Sequence, residues 1–168
     1  FDNKKKGIVD FIYNRKKSKA TYNIDENYFS FKLFDKIIDP NFLYESKIDL
    51  NPFYLNLNGK TEALNLLNII SSNSIILQLL KSEIFNNKNF NLKLNINANK
   101  IINYNNFINI ILNSEIKEGL VDVDTTKFSW KNFVNFEILD SLVYINNNEL
   151  VLDGTLKIDV KQSNEVYK

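Results

Sequence analysis

The sequence predicts a mainly β (α+β) fold: a curved antiparallel sheet or open β-groove of hairpins, with one inserted pair of short helices near residues 61–85. Apolar and polar residues alternate over most of the chain, which is the period of a strand with one buried face. Near Thr61 the apolar spacing changes to three and four residues, which is the period of a helix. At 168 residues and 44% hydrophobic, the chain has the size of one domain with its own core.

The N-terminal part, residues 1–59, is predicted to consist of short antiparallel strands joined by hairpins. Charged or Asp/Asn/Pro turns separate these strands, which we place at 8–13, 19–24, 28–34, 42–50 and 53–59. The last strand follows the turn signal Asn51-Pro52, and in it Phe53, Leu55 and Leu57 alternate with tyrosine and asparagine. One face of this strand should therefore be apolar.

Residues 60–85 have the pattern of two short helices. Leu64, Leu67 and Ile70 recur at helical spacing, as do the apolar residues of 75–80. Thr61 is the predicted N-cap, with Glu62 in the first turn, where the helix dipole favours an acid. The serines of 71–74 should divide the segment, and the second helix should end near Phe85.

The C-terminal part, residues 90–168, returns to strand patterning. Apolar residues occupy alternate positions in the strands predicted at 90–99 and 108–116, and Glu118-Gly119 should form the turn after them. The return strand is placed at 120–126, followed by a linking stretch that contains Trp130. We expect Trp130 to be a packing residue or a lid over the sheet and not a sugar-stacking platform.

The last two strands are predicted at 133–145 and 150–161. The alternation of the first of them slips near Asp140-Ser141, which indicates a bulge or a tight corner. Ser163 should begin a helix.

Asparagine is expected to supply the turns, because the chain has only 4 glycines and 2 prolines. Asn tolerates the left-handed region and bonds its own backbone. The predicted Asn turns lie at 86–87, 105–106 and 146–148.

Composition excludes several classes of function. The net charge of +1 offers no field for a phosphate backbone, so nucleic acid is not expected as a partner. The chain has no histidine and no cysteine, which removes Ser-His-Asp catalysis together with imidazole and thiolate metal ligands. The glycines are scattered and form no nucleotide-binding loop. No apolar run reaches the roughly 18 residues of a spanning helix, so this piece is not expected to cross a membrane.

Paired carboxylates are the remaining route to catalysis. Asp122 with Asp124, or Asp153 with Asp159, would lie on one side of a strand. We favour the interpretation that they are the polar half of alternating strands. The chain is therefore predicted to be no enzyme and to bind no cofactor and no metal.

An order of features over about residues 60–168 resembles the bacterial AsmA-like family, which includes the TamB- and YhdP-type envelope proteins. The features are the short helices with Leu79-Leu80-Lys81-Ser82-Glu83, the strand over 91–99, the turn at Glu118-Gly119, and the final strand. The best local match is Leu150-Val151-Leu152-Asp153-Gly154-Thr155-Leu156 in that final strand.

The resemblance implies a non-catalytic β-groove that carries phospholipid acyl chains between the inner and outer membranes or serves outer-membrane biogenesis. It places the protein on the periplasmic side of the inner membrane, anchored by a segment outside this sequence. The chain begins at Phe1 and has no methionine, so we expect residues 1–168 to be one β-rich segment of a longer chain, whose other segments would be further partners. The predicted lipid-binding residues are Leu92, Leu94, Ile96, Ile108, Ile110, Leu112, Leu152, Leu156 and Ile158.

Two alternatives for the apolar strand faces stay open. In the first, the faces form an open groove, because one pair of short helices is too little to cover many strands. In the second, the chain is a closed, β-rich scaffolding or interaction domain of a surface or phage protein, with its apolar faces packed on each other.

Overall fold

The computed structural model describes residues 5–13, 16–34, 43–71, 74–82, 84–147 and 149–166, and its fold is mainly β, as predicted. The described strands form one open sheet of 11 strands. They are β1 Lys5–Tyr13, β2 Lys16–Ile24, β3 Tyr28–Phe34, β4 Leu43–Leu50, β5 Phe53–Leu64, β6 Asn91–Ile101, β7 Tyr104–Lys117, β8 Leu120–Asp122, β9 Lys127–Trp130, β10 Val134–Asn146 and β11 Glu149–Val160. The helices are α1 Leu66–Ile70, α2 Ile75–Lys81 and α3 Ser163–Val166, with a 3₁₀ turn at Ile84–Asn86.

The strands lie in the sheet in the order in which they occur along the chain. Ten of them follow one path from β1 to β11, and β8 pairs beside β7. Neighbours are antiparallel with one exception, since β6 runs parallel to β5. Parallel neighbours need a crossover of about a dozen or more residues, and α1, α2 and the 3₁₀ turn supply it. The inserted helices predicted near residues 61–85 thus join two parallel strands, whereas the sequence predicted an antiparallel sheet.

The first helix begins later than predicted. β5 continues to Leu64, and Thr61 is a buried strand residue opposite Ala98. The N-cap of α1 is Asn65, whose side chain accepts a hydrogen bond from the Asn68 N–H at 3.3 Å. Thr61 is β-branched and suits a strand, so pairing with β6 decides its conformation. The cap of α2 is Ser74, which accepts from the Leu77 N–H at 3.0 Å, inside the predicted break.

In the part of the chain that the structure describes, residues in the left-handed region occur in several turns. The prediction at Glu118-Gly119 is confirmed, with φ of 52° and 86°. The turn between β6 and β7 uses Asn103 (φ 67°) in place of the predicted 105–106, which lie within β7. The predicted return strand at 120–126 stops at Asp122. A turn containing Thr125 (φ 59°) then leads into β9, where the sequence predicts only a linking stretch.

The predicted bulge near Asp140-Ser141 is confirmed. Asp140 has a φ of 50°, and the register between β10 and β11 shifts between Leu139 and Leu142. The Asp124 carboxylate accepts hydrogen bonds from the Ser141 N–H at 2.7 Å and from its hydroxyl at 2.6 Å. The bulge is thus fastened to the turn between β8 and β9.

The core lies between one face of the sheet and the crossover helices. One cluster is built from Leu64, Ile96, Ala98, Ile101 and Ile110, with Leu66 and Ile69 of α1 packed against it. The second cluster joins Phe85 to Ile116 and Val121, with Leu79 and Leu80 of α2 alongside.

Two glycines lie opposite tyrosines across neighbouring strands. Gly7 faces Tyr22, and Gly59 faces Tyr44. In each pair the tyrosine ring occupies the place of the missing side chain, since a Cβ on Gly59 would come within 2.5 Å of Tyr44 Cε1 and 3.2 Å of Ile96 Cγ1. The rings therefore lie flat on the sheet, as they do when aromatic residues cover strand glycines.

We predict that Gly59→Ala destabilises the protein. Alanine in a strand normally lowers the entropy cost of folding relative to glycine. Here the added methyl group overlaps Tyr44, and overpacking of this kind costs about 1–3 kcal/mol. Urea unfolding measures the change. Lys60→Ala, an exposed neighbour on the opposite face, is the control, and equal midpoints for the two variants would contradict the overlap.

Candidate functional site

The candidate site is the apolar face of the sheet, defined as the side that carries Ile96 and the residues placed with it by the cross-strand register. One row of directly opposed residues on this face contains Leu55, Leu92 and Ile116. A second row contains Tyr22, Phe31 and Ser46. The face crosses the ten strands of the main path, which at about 4.8 Å per strand span roughly 43 Å.

The crossover helices cover the middle of this face. Ile96 and Ile110, predicted as groove residues, are buried with exposed fractions of 8% and 4%. Leu94 and Leu112 pack against the same cluster, and Leu92 packs against the second one. These five predicted residues therefore lie in the core between sheet and helices.

Ile108 lies on the other face. Asn109 has a φ of 53°, and the register between β7 and β9 shifts beside it. Ile108 is opposite Ser129, whose hydroxyl bonds Asn135 on the polar side at 3.0 Å. The assumption that residues 108, 110 and 112 share one face is wrong because the alternation changes phase at Asn109.

The remaining three predicted residues are exposed on β11. Leu152, Leu156 and Ile158 have exposed fractions of 50%, 50% and 55%. Together with Val160 they form what we call the edge strip, at one end of the apolar face. The structure thus separates the predicted residues into a buried group and an open group, and it does not gather them into one groove.

A second open part of the apolar face lies at the opposite end of the sheet, on β1, β2 and β3. We call it the trough. Its cavity of about 420 Å³ is lined by Val9, Phe11, Ala20, Tyr22, Ile24, Phe29, Phe31 and Leu33. The alternation of Phe29, Phe31 and Leu33 is visible in the sequence, but nothing there says which apolar face a helix covers.

The floor of the trough is shaped by its aromatic residues. The rings of Phe29 and Phe31 lie with their centroids 6.1 Å apart. Tyr22 lies flat over Gly7, where a Cβ would come within 2.5 Å of its hydroxyl. Aliphatic Val9 and Ile24 stand half exposed at its border. A surface of this kind can bury hydrocarbon without offering it a charged partner.

The polar face carries ion pairs and asparagine ladders. Lys32 pairs with Glu45 at 3.4 Å, and the Asn95 side chain donates to Asn113. Lys127 and Lys157 both reach Glu137, at 3.0 and 3.6 Å. The hydrogen bond from Lys127, with help from Lys157, holds the pKa of Glu137 below its ordinary value. The two faces of the sheet are therefore chemically opposite.

Two of the four candidate carboxylates, Asp122 and Asp124, make hydrogen bonds within the fold. The Asp124 carboxylate accepts a hydrogen bond from the Ser141 N–H. The Asp122 carboxylate accepts one from the Asp124 N–H at 3.3 Å. Asp153 and Asp159 lie exposed on β11, six residues apart. Within the described ranges, no group of three or more acidic residues is arranged to hold a metal ion.

Comparison with known proteins identifies no relative. No family model matches this chain, and neither does any curated protein or solved structure. In the part of the chain that the structure describes, no helix is long and apolar enough to span a membrane.

We predict that Asp122→Asn stabilises the fold at neutral pH. Burial raises the pKa of Asp122, and the charges of Asp124 and Glu115 raise it further, against the backbone hydrogen bonds that lower it. A raised pKa means that the folded state disfavours the ionised form, so stability is lost as the pH rises through the folded pKa. The amide keeps the acceptor oxygen and carries no charge.

The measurement is urea unfolding of wild type and D122N between about pH 3 and pH 7, which spans the usual aspartate range. The advantage of D122N should shrink at acid pH, where the wild-type carboxyl is protonated in both states. Glu118→Gln, at an exposed turn, is the control. An advantage independent of pH would show that ionisation is not its cause.

Proposed function

We propose that this chain is a non-catalytic segment of an AsmA-like envelope protein and that its apolar face holds phospholipid acyl chains. The observation that supports this proposal most strongly is the trough, because eight apolar or aromatic residues line it and the described residues do not cover it. In this proposal the segment works on the periplasmic side of the inner membrane, where lipid passes toward the outer membrane.

An acyl chain suits the trough for energetic reasons. Each CH₂ group moved from water to an apolar surface contributes about 0.8 kcal/mol. The trough lining has no charged side chain that would bind one headgroup. Binding spread evenly over Val9, Phe11, Phe31 and their neighbours would let a chain shift along the surface at little cost in free energy.

The opposite chemistry of the two faces also supports the proposal. Pairs such as Lys32 with Glu45 and Lys47 with Asp49 keep the polar face hydrated next to the trough. A sheet with one hydrated polar face and one apolar face can lie between water and hydrocarbon. Monomeric proteins rarely expose a continuous apolar patch beyond a few hundred Å² without a binding role.

The closed scaffolding domain is the competing proposal. It requires that the apolar faces pack on each other. Among the described residues, no second layer packs on the apolar face over β1–β3, and the residues of the edge strip are about half exposed. These exposed positions favour the lipid proposal.

We predict that Val9→Asp combined with Ile24→Asp lowers binding of a fluorescent fatty acid by at least about tenfold, because it places charge beside the hydrocarbon. The matched control is Ile8→Asp with Ile12→Asp. Both control residues are exposed on the opposite face of β1, the strand that carries Val9. Fluorescence titration measures the affinity, and circular dichroism verifies that both variants fold.

Lipid extraction and native mass spectrometry of the chain purified from a bacterial host provide the second readout. Phospholipid should accompany the wild type and the control and should be lost from the trough variant. A protein free of lipid, with no affinity for the fatty acid, would support the closed scaffolding domain. Equal loss from both variants would place the hydrocarbon elsewhere.

A further inference from the structure

Among the described residues, no strand pairs with the outer edge of β11, which is 12 residues long. β11 pairs with β10 on one side, and residues 152–160 are exposed. The Lys161 N–H donates to the Phe133 carbonyl at 2.8 Å. Hydrogen-bonded and non-hydrogen-bonded pairs alternate in an antiparallel ladder, so odd-numbered residues of β11 direct their backbone groups at β10. The even-numbered residues, from Leu150 to Val160, direct theirs outward.

The charges along β11 are ordered around its middle. On the polar face, Glu149 and Asp153 precede Thr155, and Lys157 and Lys161 follow it. An antiparallel copy of the strand centred on Thr155 places Asp153 opposite Lys157 and Glu149 opposite Lys161. Because the arrangement is two-fold symmetric, each of these charge pairs forms twice in the dimer. On the apolar face, the same register places Leu152 opposite Ile158.

Neighbouring registers lack this match. A two-fold pairing must place even residues opposite even ones, because those residues carry the free backbone groups and share a face. Centring on Gly154 puts Glu149 opposite Asp159, and centring on Leu156 puts Asp153 opposite Asp159. Like charges directly opposite each other destabilise a strand pair. The charge pattern therefore selects the register centred on Thr155.

We propose that two copies of this chain pair through β11, antiparallel and with Thr155 opposite Thr155. The two-fold axis is perpendicular to the sheet, so the 11 strands of each copy continue into one sheet with both apolar faces on the same side. The two edge strips then meet. This inference goes beyond the proposed function and does not depend on what binds the apolar face.

The position of Lys157 allows its side chain to turn to a second copy. Its distance to Glu137 is 3.6 Å, whereas Lys127 reaches the same carboxylate at 3.0 Å, and the Lys157 side chain is 63% exposed. Glu137 thus keeps a partner when Lys157 turns to Asp153. A single strand pair buries a small area, so we expect association in the micromolar range.

Cysteine cross-linking tests the register, because the chain has no cysteine of its own. In a non-hydrogen-bonded antiparallel pair the Cα atoms are about 4.5 Å apart, within disulfide range. Thr155→Cys should therefore form a disulfide-linked dimer under oxidised glutathione. The matched control is Asp159→Cys, exposed on the same strand and face, whose two copies would lie about eight strand positions apart, or roughly 26 Å.

We expect T155C to cross-link at least about tenfold faster than D159C at equal concentration, since only the first geometry allows the bond. Equal rates would overturn the proposal, and so would a wild-type dimer that T155C fails to cross-link. The latter result would point to β1, the other edge of the sheet.

Charge exchange provides a test that does not use cysteine. Asp153→Lys and Lys157→Asp each put like charges opposite each other in a homodimer, and each should weaken self-association by at least about tenfold in sedimentation equilibrium. A mixture of the two variants places opposite charges together again and should associate like the wild type.

Circular dichroism verifies the fold of each variant. If K157D is unfolded through the loss of its contact with Glu137, the pair Glu149→Lys and Lys161→Glu makes the same test at the strand ends. Variants that each dimerise like the wild type, or a wild type that stays monomeric at several hundred micromolar, would overturn the proposal.

Discussion

The parallel pairing of β5 with β6 is the constraint on which the rest of the structure depends. Parallel neighbours need a long connection, and here that connection carries the helices that pack on the sheet. Its length and its return beside β5 place α1 and α2 over the middle strands. Ile96 and Ile110 are buried for this reason, while the same alternation on β1 and β11 leaves Val9 and Leu156 exposed.

Local changes of phase decide which side chains join the apolar face. Asn109 and Asp140 take left-handed conformations that glycine usually adopts. The first moves Ile108 to the polar side. The second reorders β10, so that Val143 packs toward Phe85 and the Asp124 carboxylate binds Ser141. In this chain asparagine and aspartate therefore form turns, and within a strand they also change which face of the sheet the neighbouring side chains occupy.

The two open ends of the apolar face differ in character. The trough is lined by apolar and aromatic residues, which suits hydrocarbon. The edge strip lies beside free backbone groups, which suits another strand. In the proposals made above, one end serves lipid and the other serves a second copy, and pairing at β11 would place two troughs on one continuous sheet.

The sequence by itself determined the mainly β fold, most strand positions, the bulge near Asp140 and the turn at Glu118-Gly119, because these depend on local periodicity and turn chemistry. Periodicity also marked Leu92, Leu94 and Ile96 as apolar. Only the tertiary structure decided that these residues lie in the core clusters while Val9 and Leu156 stay exposed. Cover depends on where the crossover places its helices, and alternation within a strand is the same whether its apolar side meets a helix, a lipid or water.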